Sequence, residues 1–190
     1  MGRDTEKTKR LLLDAARAEF AQYGIAGARV NRIAENAGIN KERIYGHFTS
    51  KEGLFQAVLA EAMAELAEAV RPGEGPVGEY VGRIFDYHRS DPTLLRLLMF
   101  EALQHGNTPQ EQDSSRAEWY TSASRALATT TGYSPAMANQ LLLTLIGLAA
   151  WPVAMPQLAE FALAAQGDSA PGDVDLREFL ISFAERGTAL

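Results

Sequence analysis

Residues 30–55, VNRIAENAGINKERIYGHFTSKEGLF, decide how this chain folds. Val30, Ile33, Ala34 and Ala37 recur at helical spacing and lay one apolar stripe along a short helix, with Asn31, Arg32, Glu35 and Asn36 outside it. Gly38 stops that helix, because glycine takes a left-handed conformation without steric cost. A second periodic segment begins three residues later, with Ile44 and Phe48 four apart. Asn40 stands where its side chain can cap the free amides of the new helix, and Ile39 before it can pack back onto the core. Two short helices around so tight a turn predict a helix-turn-helix, whose second helix enters a DNA major groove.

Away from its apolar stripe that second helix offers Lys41, Glu42, Arg43, Tyr45 and His47. Lys and Arg meet phosphates or guanine edges, and Tyr and His donate to phosphates. Lys51 opens the next helix at SKEGLF, with Ser50 as its expected cap, so its ammonium and the unpaired amides there both favour a phosphate. Any one of these residues alone reads as part of a solvated, mixed-charge face. Their joint position beside a capped glycine turn favours DNA.

The segment resembles the DNA-binding domain of the TetR family of transcriptional regulators. The resemblance rests on GIN, the hydrophobic Ile44 before Tyr45, the His47-Phe48 pair and SKEGLF, and it is close from Lys9 to Phe55. It implies that the recognition helix reads DNA and that Tyr45, His47 and Lys51 meet phosphates. It also implies a looser all-helical effector and dimerisation domain for the remainder. The chain departs from the family pattern at Ala28 and Arg29, where Thr or Ser is usual, at Asn31 in place of a frequent Arg, and at Glu42, where a small residue is common. The second helix then lacks its usual cap, and a phosphate contact from its start falls to Arg29. Lys41 and Arg43 are the long donors at the front of the recognition helix, so at least one is expected to meet a base edge.

The whole chain has 190 residues and a net charge of −6, an unexpected sign for a DNA binder until the charge is divided. Through Phe55 there are ten Lys and Arg against seven Asp and Glu, or +3; the rest has eight against seventeen, or −9. The positive end is the helix-turn-helix end, and the acidic remainder is expected to face away from the duplex. With 46% hydrophobic residues the chain has ample core material for one large or two small domains. There is no cysteine, which excludes disulfides and thiol chemistry within the chain. The start, MGRDTEKTKRLLL, lacks an apolar export segment, so a cytoplasmic location is expected.

Outward from the motif every segment reads as helix, and none shows the alternation of a sheet. The first helix is expected from about Glu6 to Tyr23, with Leu12, Ala16, Phe20 and Tyr23 on its buried face and Gly24 ending it. Arg3, Lys7, Lys9 and Arg10 either reach DNA or form a basic tail. A linking helix runs from Lys51 through LFQAVLAEAMAELAEAV to the stop at RPGEGP, carrying Leu54, Val58, Glu61, Ala62 and Leu66. VGEYVGRIFDYHRS, PTLLRLLMFEALQHG and the stretch from Pro109 to about Thr131 follow as three helices. The division predicted is residues 1–55 for DNA binding and residues 56–190 for a helical ligand-binding and dimerisation domain.

MANQLLLTLIGLAAWPVAMP is apolar on all sides, and a helix without a polar face must be covered on all of them. Its run from Leu141 to Pro156, interrupted by Pro152, is shorter than the roughly 20 residues a bilayer needs, so no membrane partner is expected. The last helix, from about Asp175 to Glu185, presents Leu176, Phe179, Leu180 and Phe183 along one face. With Leu145 and Leu148 these form the expected interface of a two-fold homodimer, each subunit supplying two helices to a four-helix contact. AAQGDSAPGDVD between them reads as a flexible acidic loop.

The middle helices concentrate aromatic and Met residues, which are core by default but in this family context also suit a cavity for a small, largely apolar effector. Leu66, Phe85, Met99, Trp119 and Trp151 are its candidate walls, with His88 and Glu101 as polar anchors. His47, His88 and His105 show no metal-ligand spacing, and no cofactor is expected. No nucleophile elbow or phosphate loop is present, which sets an enzyme aside. A helical adaptor is disfavoured by Asn40 followed by Tyr45, His47 and Lys51. The partners predicted are a near-palindromic double-stranded operator, a second copy of the chain, and the effector.

Overall fold

A computed structural model of the chain describes residues 2–106, 114–164 and 173–189. Regular structure among the described residues is all helical: α1 (Gly2–Gly27), α2 (Val30–Ala37), α3 (Lys41–Phe48), α4 (Lys51–Ala69), α5 (Val77–Ser90), α6 (Thr93–His105), α7 (Ser114–Thr131), α8 (Pro135–Ala154), α9 (Pro156–Ala164) and α10 (Asp173–Thr188). They group into two compact units. One holds the chain to Ala64 together with α6; the other holds the chain from Glu65 to Pro92 and from Ser114 onward.

The first unit is built on the buried stripe of α1, where Leu12, Ala16 and Phe20 are fully covered. Phe20 meets Phe55 of α4 edge to face, ring centres 5.2 Å apart, and Ile33 of α2 and Ile44 of α3 are fully buried in the same unit. Gly24 breaks α1 where the sequence predicts, but helical turns resume beyond it to Gly27. Its φ of 66° and ψ of 179° suit only glycine, and a Cβ there would stand 2.7 Å from the Phe100 ring. That ring belongs to α6, which is held to α1 by Arg96 donating to the Ala21 carbonyl at 2.6 Å. This close packing places α6 with the N-terminal helices, a grouping that hydrophobic periodicity does not reveal.

The second unit centres on α5, whose Val77, Tyr80, Val81, Ile84, Phe85 and His88 are buried. Gly78 and Gly82, one turn apart, let α10 approach closely. A Cβ at Gly78 would lie 2.7 Å from the Ile181 carbonyl oxygen, and one at Gly82 would lie 2.9 Å from the Ile181 side chain. Arg177 of α10 closes the contact by donating to both carboxylate oxygens of Asp86 at 2.9 Å. Ser134 caps α8, accepting from the Met137 amide at 3.4 Å, and the Ser124 hydroxyl of α7 donates to the Asn139 side chain of α8.

Helix α8 is a single helix of 20 residues, longer than the Leu141–Pro156 run singled out from the sequence. Pro152 falls in its last turn, where one lost ladder bond does not end the helix. Length and composition alone would let it cross a bilayer. Here Ala138, Leu142, Leu145, Ala149 and Ala150 are buried where it packs on α5 and α7, while Leu143 and Trp151 stay open. Pro156 starts a further helix, α9, which the sequence reading missed by taking that proline only as a stop. The start of the helix expected at Pro109 and most of the acidic loop lie outside the described residues.

Candidate nucleic-acid interface

The start of α2, without a Ser or Thr cap, is capped from α1 instead. The Arg29 amide donates to Glu19 Oε1 at 2.8 Å, and Arg32 donates to both oxygens of the same carboxylate, from Nε at 2.7 Å and from Nη2 at 2.6 Å. The Arg32 guanidinium also lies over the Tyr23 ring, 4.1 Å from its centre. Glu19 is 3% exposed. Burial pushes its carboxyl up, but the Arg32 hydrogen bonds, the Arg29 amide and the Arg32 charge together outweigh burial and hold it below the ordinary carboxylate value. A negative charge also suits a helix N-terminus.

Sequence reasoning passed over Glu19, although a carboxylate beside Phe20 on the buried side of an amphipathic helix was a signal. Glu19→Gln should cost about 1–2 kcal/mol at neutral pH and speed amide exchange at the start of α2, read by denaturant unfolding and hydrogen exchange. Because the folded carboxyl is depressed, this contribution is present above the ordinary carboxylate value and is lost as pH falls through the folded one.

Gly38 takes the left-handed conformation, φ 65° and ψ 31°, and ends α2 with its amide on the Glu35 carbonyl and the Ile39 amide on that of Ala34. Asn40 Oδ1 then accepts from the Glu42 amide at 3.4 Å and starts α3. Ile44 and Phe48 anchor α3 in the core, leaving Lys41, Glu42, Arg43 and Tyr45 exposed and His47 half-buried with its ring against Phe48. Thr49 turns the chain at a φ of 33°, a rare value for a residue with a Cβ. Ser50 Oγ accepts from the Gly53 amide at 2.9 Å, and the half-buried Lys51 opens α4 directly after it. The Arg29 side chain is exposed at the start of α2. The geometry thus offers solvent two exposed cations and a phenol on α3, a further cation at each flanking helix start, and Glu42 among them.

The residues expected around an effector divide between the two units. Leu66, Phe85 and His88 are buried in the second unit and Trp119 is half-buried there, its ring edge to face with Tyr120. Met99 and Glu101 belong to the first unit, where Glu101 Oε1 accepts from Gln56 at 3.4 Å. Trp151 is 56% exposed, because α8 turns it to its open side two turns beyond the exposed Leu143. The interface residues also divide. Leu145 and Leu180 are covered within their own subunit and Leu148 and Leu176 are half-buried, whereas Phe179 and Phe183 are open and stacked, ring centres 6.0 Å apart.

A helix-turn-helix bearing exposed cations on its second helix, joined to a larger helical body, defines a DNA-binding regulator rather than an enzyme. Residues 12–58 match the family described as bacterial regulatory proteins, tetR family, and residues 76–186 match the tetracyclin repressor-like C-terminal domain. The HTH-type transcriptional repressor SCO4008 of Streptomyces coelicolor is 36% identical over 190 residues, 97% of this chain and 96% of that protein. The HTH-type transcriptional regulator RutR of Escherichia coli is 35% identical over 102 residues, 50% of this chain and 48% of that protein. The crystal structure of SCO4942 from Streptomyces coelicolor superposes with a TM-score of 0.76 at 28% identity, covering 95% of this chain and 97% of that one. The chain belongs to the TetR family of transcriptional regulators.

Proposed function

We propose that the chain is a repressor that binds a near-palindromic operator as a homodimer in the cytoplasm and is released by a small, largely apolar effector. The observation that carries the DNA-binding part is the turn itself, with left-handed Gly38 and the Asn40 cap presenting α3 with Lys41, Arg43 and Tyr45 in solvent. Lys41 and Arg43 read base edges in this proposal. Arg29, Tyr45, His47 and Lys51 hold phosphates. The direction, repression, is supported by the name of the SCO4008 relative. Residues 1–55 form the reading head, and residues 56–190 take the effector and the second subunit. DNA and effector must then weaken one another by the same factor.

Retardation of a palindromic duplex that survives excess random competitor tests the reading, and loss of all retardation under competitor would sink it. Within it, Lys51→Ala should weaken cognate and random duplexes by a similar factor and lower the slope of log affinity against log salt by about one unit. An unchanged slope in the folded variant would remove Lys51 from the phosphate set.

A further inference from the structure

Ile44 and Phe48 fix which side of α3 faces the core, since both are buried. At about 100° per residue, the midpoint of that pair lies about 180° from Gly46 and about 140° from Glu42. Glu42 and Gly46, one turn apart, therefore form the outermost ridge of the helix, and Arg43 and Tyr45 flank it. All four residues are exposed.

Neither backbone conformation nor packing requires the glycine on that ridge. Gly46 is helical rather than left-handed, and a Cβ added to it would meet nothing within 4 Å. Gly38, by contrast, is required by its φ of 65°, and Gly53 by crowding, since a Cβ there would stand 3.1 Å from the Phe48 carbonyl oxygen. Glycine inside a helix is less stable than alanine, so an unforced one calls for a reason outside the fold. Close approach of a second molecule to the bare backbone supplies that reason.

Glu42 leaves its charge equally open. Its amide donates to Asn40 Oδ1 and so fixes the first turn of α3, but its carboxylate makes no ion pair or hydrogen bond among the described residues. A carboxylate gains from the helix N-terminus anywhere in that turn. On the ridge it also faces the duplex, where it repels phosphates and finds attractive partners at base amino groups. In the major groove these are cytosine N4 and adenine N6. Adenine presents its N7 acceptor beside N6, which opposes a carboxylate, whereas cytosine presents a donor alone.

We infer that the ridge of Glu42 and Gly46 is the part of α3 seated against the bases, with Gly46 admitting them close to the helix backbone and Glu42 accepting from a cytosine amino group. The inference rests on the DNA-reading role of α3 proposed above and adds a specificity-determining carboxylate to its cations. Because that carboxylate repels every phosphate, Glu42 raises discrimination while lowering general affinity for DNA.

Duplexes selected by the full-length wild type from a randomised library supply the probe, and a shuffled duplex of equal composition the control, both titrated by fluorescence anisotropy. Gly46→Ala should raise Tm by about 1–4 °C through helix propensity, yet bind the selected duplex at least about tenfold more weakly and the shuffled one by a smaller factor. A surface glycine without a function would give the first change and not the second. Glu42→Gln should bind the shuffled duplex at least as tightly as the wild type does and lose at least about fivefold in preference for the selected one. On reselection it should also lose a cytosine at one position of the selected sequence. Unchanged affinity of Gly46→Ala for the selected duplex, or a lowered Tm, would overturn the seating of the ridge. A Glu42→Gln protein that reselects the same sequence, or weakens on both duplexes alike, would overturn the cytosine contact. A wild type that selects no sequence at all fails the DNA-reading role itself, and the inference with it.

Discussion

A Phe179→Asp variant should sediment as a folded monomer and lose tight binding to its operator. Phe179 and Phe183 lie one turn apart on α10, 54% and 51% exposed, and stack on each other. In the same unit α8 leaves Leu143 74% and Trp151 56% exposed. Open apolar surface of this kind, on two helices that also pack on each other, marks a protein contact, and in this proposal the occupant is the same pair of helices from a second copy. An aspartate there would bury an unpaired charge in the dimer but sit in water in the monomer, so association fails while the subunit fold survives. Loss of the second reading head removes the effective-concentration gain of binding two half-sites, about 10²–10⁴-fold in affinity. Leu180→Ala is the contrasting control: at 3% exposed it belongs to the subunit core, so it should lower Tm by the loss of roughly 2–5 kcal/mol. A Phe179→Asp protein that remained a dimer would move the interface elsewhere. A wild-type monomer at micromolar concentration with intact operator binding would remove the dimer from the proposal.

How far the sequence reaches is clearest where local chemistry decides. The Gly38 turn, the Asn40 cap, the Ser50 cap and the boundaries of α3 and α5 follow from residues within a turn or two of one another, and each stands where the periodicity puts it. Contacts between distant segments were not legible in that way. The cap of α2 comes from Glu19, ten residues before the amide it serves, and the sequence showed only that the usual Ser or Thr was missing. The grouping of α6 with α1 depends on Gly24 accepting the Phe100 ring and on Arg96 reaching Ala21, 75 residues away. Helix α8 was recognised as apolar all round, but with so little asymmetry in its composition the pattern could not say which side turns inward. Leu145, expected at the subunit interface, therefore lies in the core of its own unit, and Trp151, expected in a cavity wall, lies in the open. Tyr80 Oη and Arg83 Nε, buried without a hydrogen-bond partner among the described residues, show the same limit, since a tyrosine and an arginine three apart on a helix carry no sequence mark of burial.

Mild acid should destabilise the second unit, and His88 is the reason. Its imidazole, 3% exposed on α5, is pushed down to about 4 from an ordinary value of 6.5, chiefly by burial, against which the charge of Asp91 pulls weakly upward. The sign follows from where each state binds its proton. Above about pH 6.5 both folded and unfolded chains hold a neutral imidazole and nothing is lost. Between 6.5 and about 4 the unfolded chain takes up a proton that the folded chain refuses, so stability falls with pH at up to about 1.4 kcal/mol per unit, or roughly 3 kcal/mol by pH 4. Glu19 adds its own loss only lower, as pH falls past the ordinary carboxylate value toward its depressed one. Urea unfolding of the wild type from pH 7.5 to 4.5 should therefore show a falling midpoint. His88→Leu should flatten that fall and, having removed an unpaired buried nitrogen, should cost little or nothing at pH 7.5. Parallel pH profiles for the two proteins would mean that His88 takes up its proton in the folded state as readily as in the unfolded one, and that its ring is reached by water that the packing of α5 should exclude.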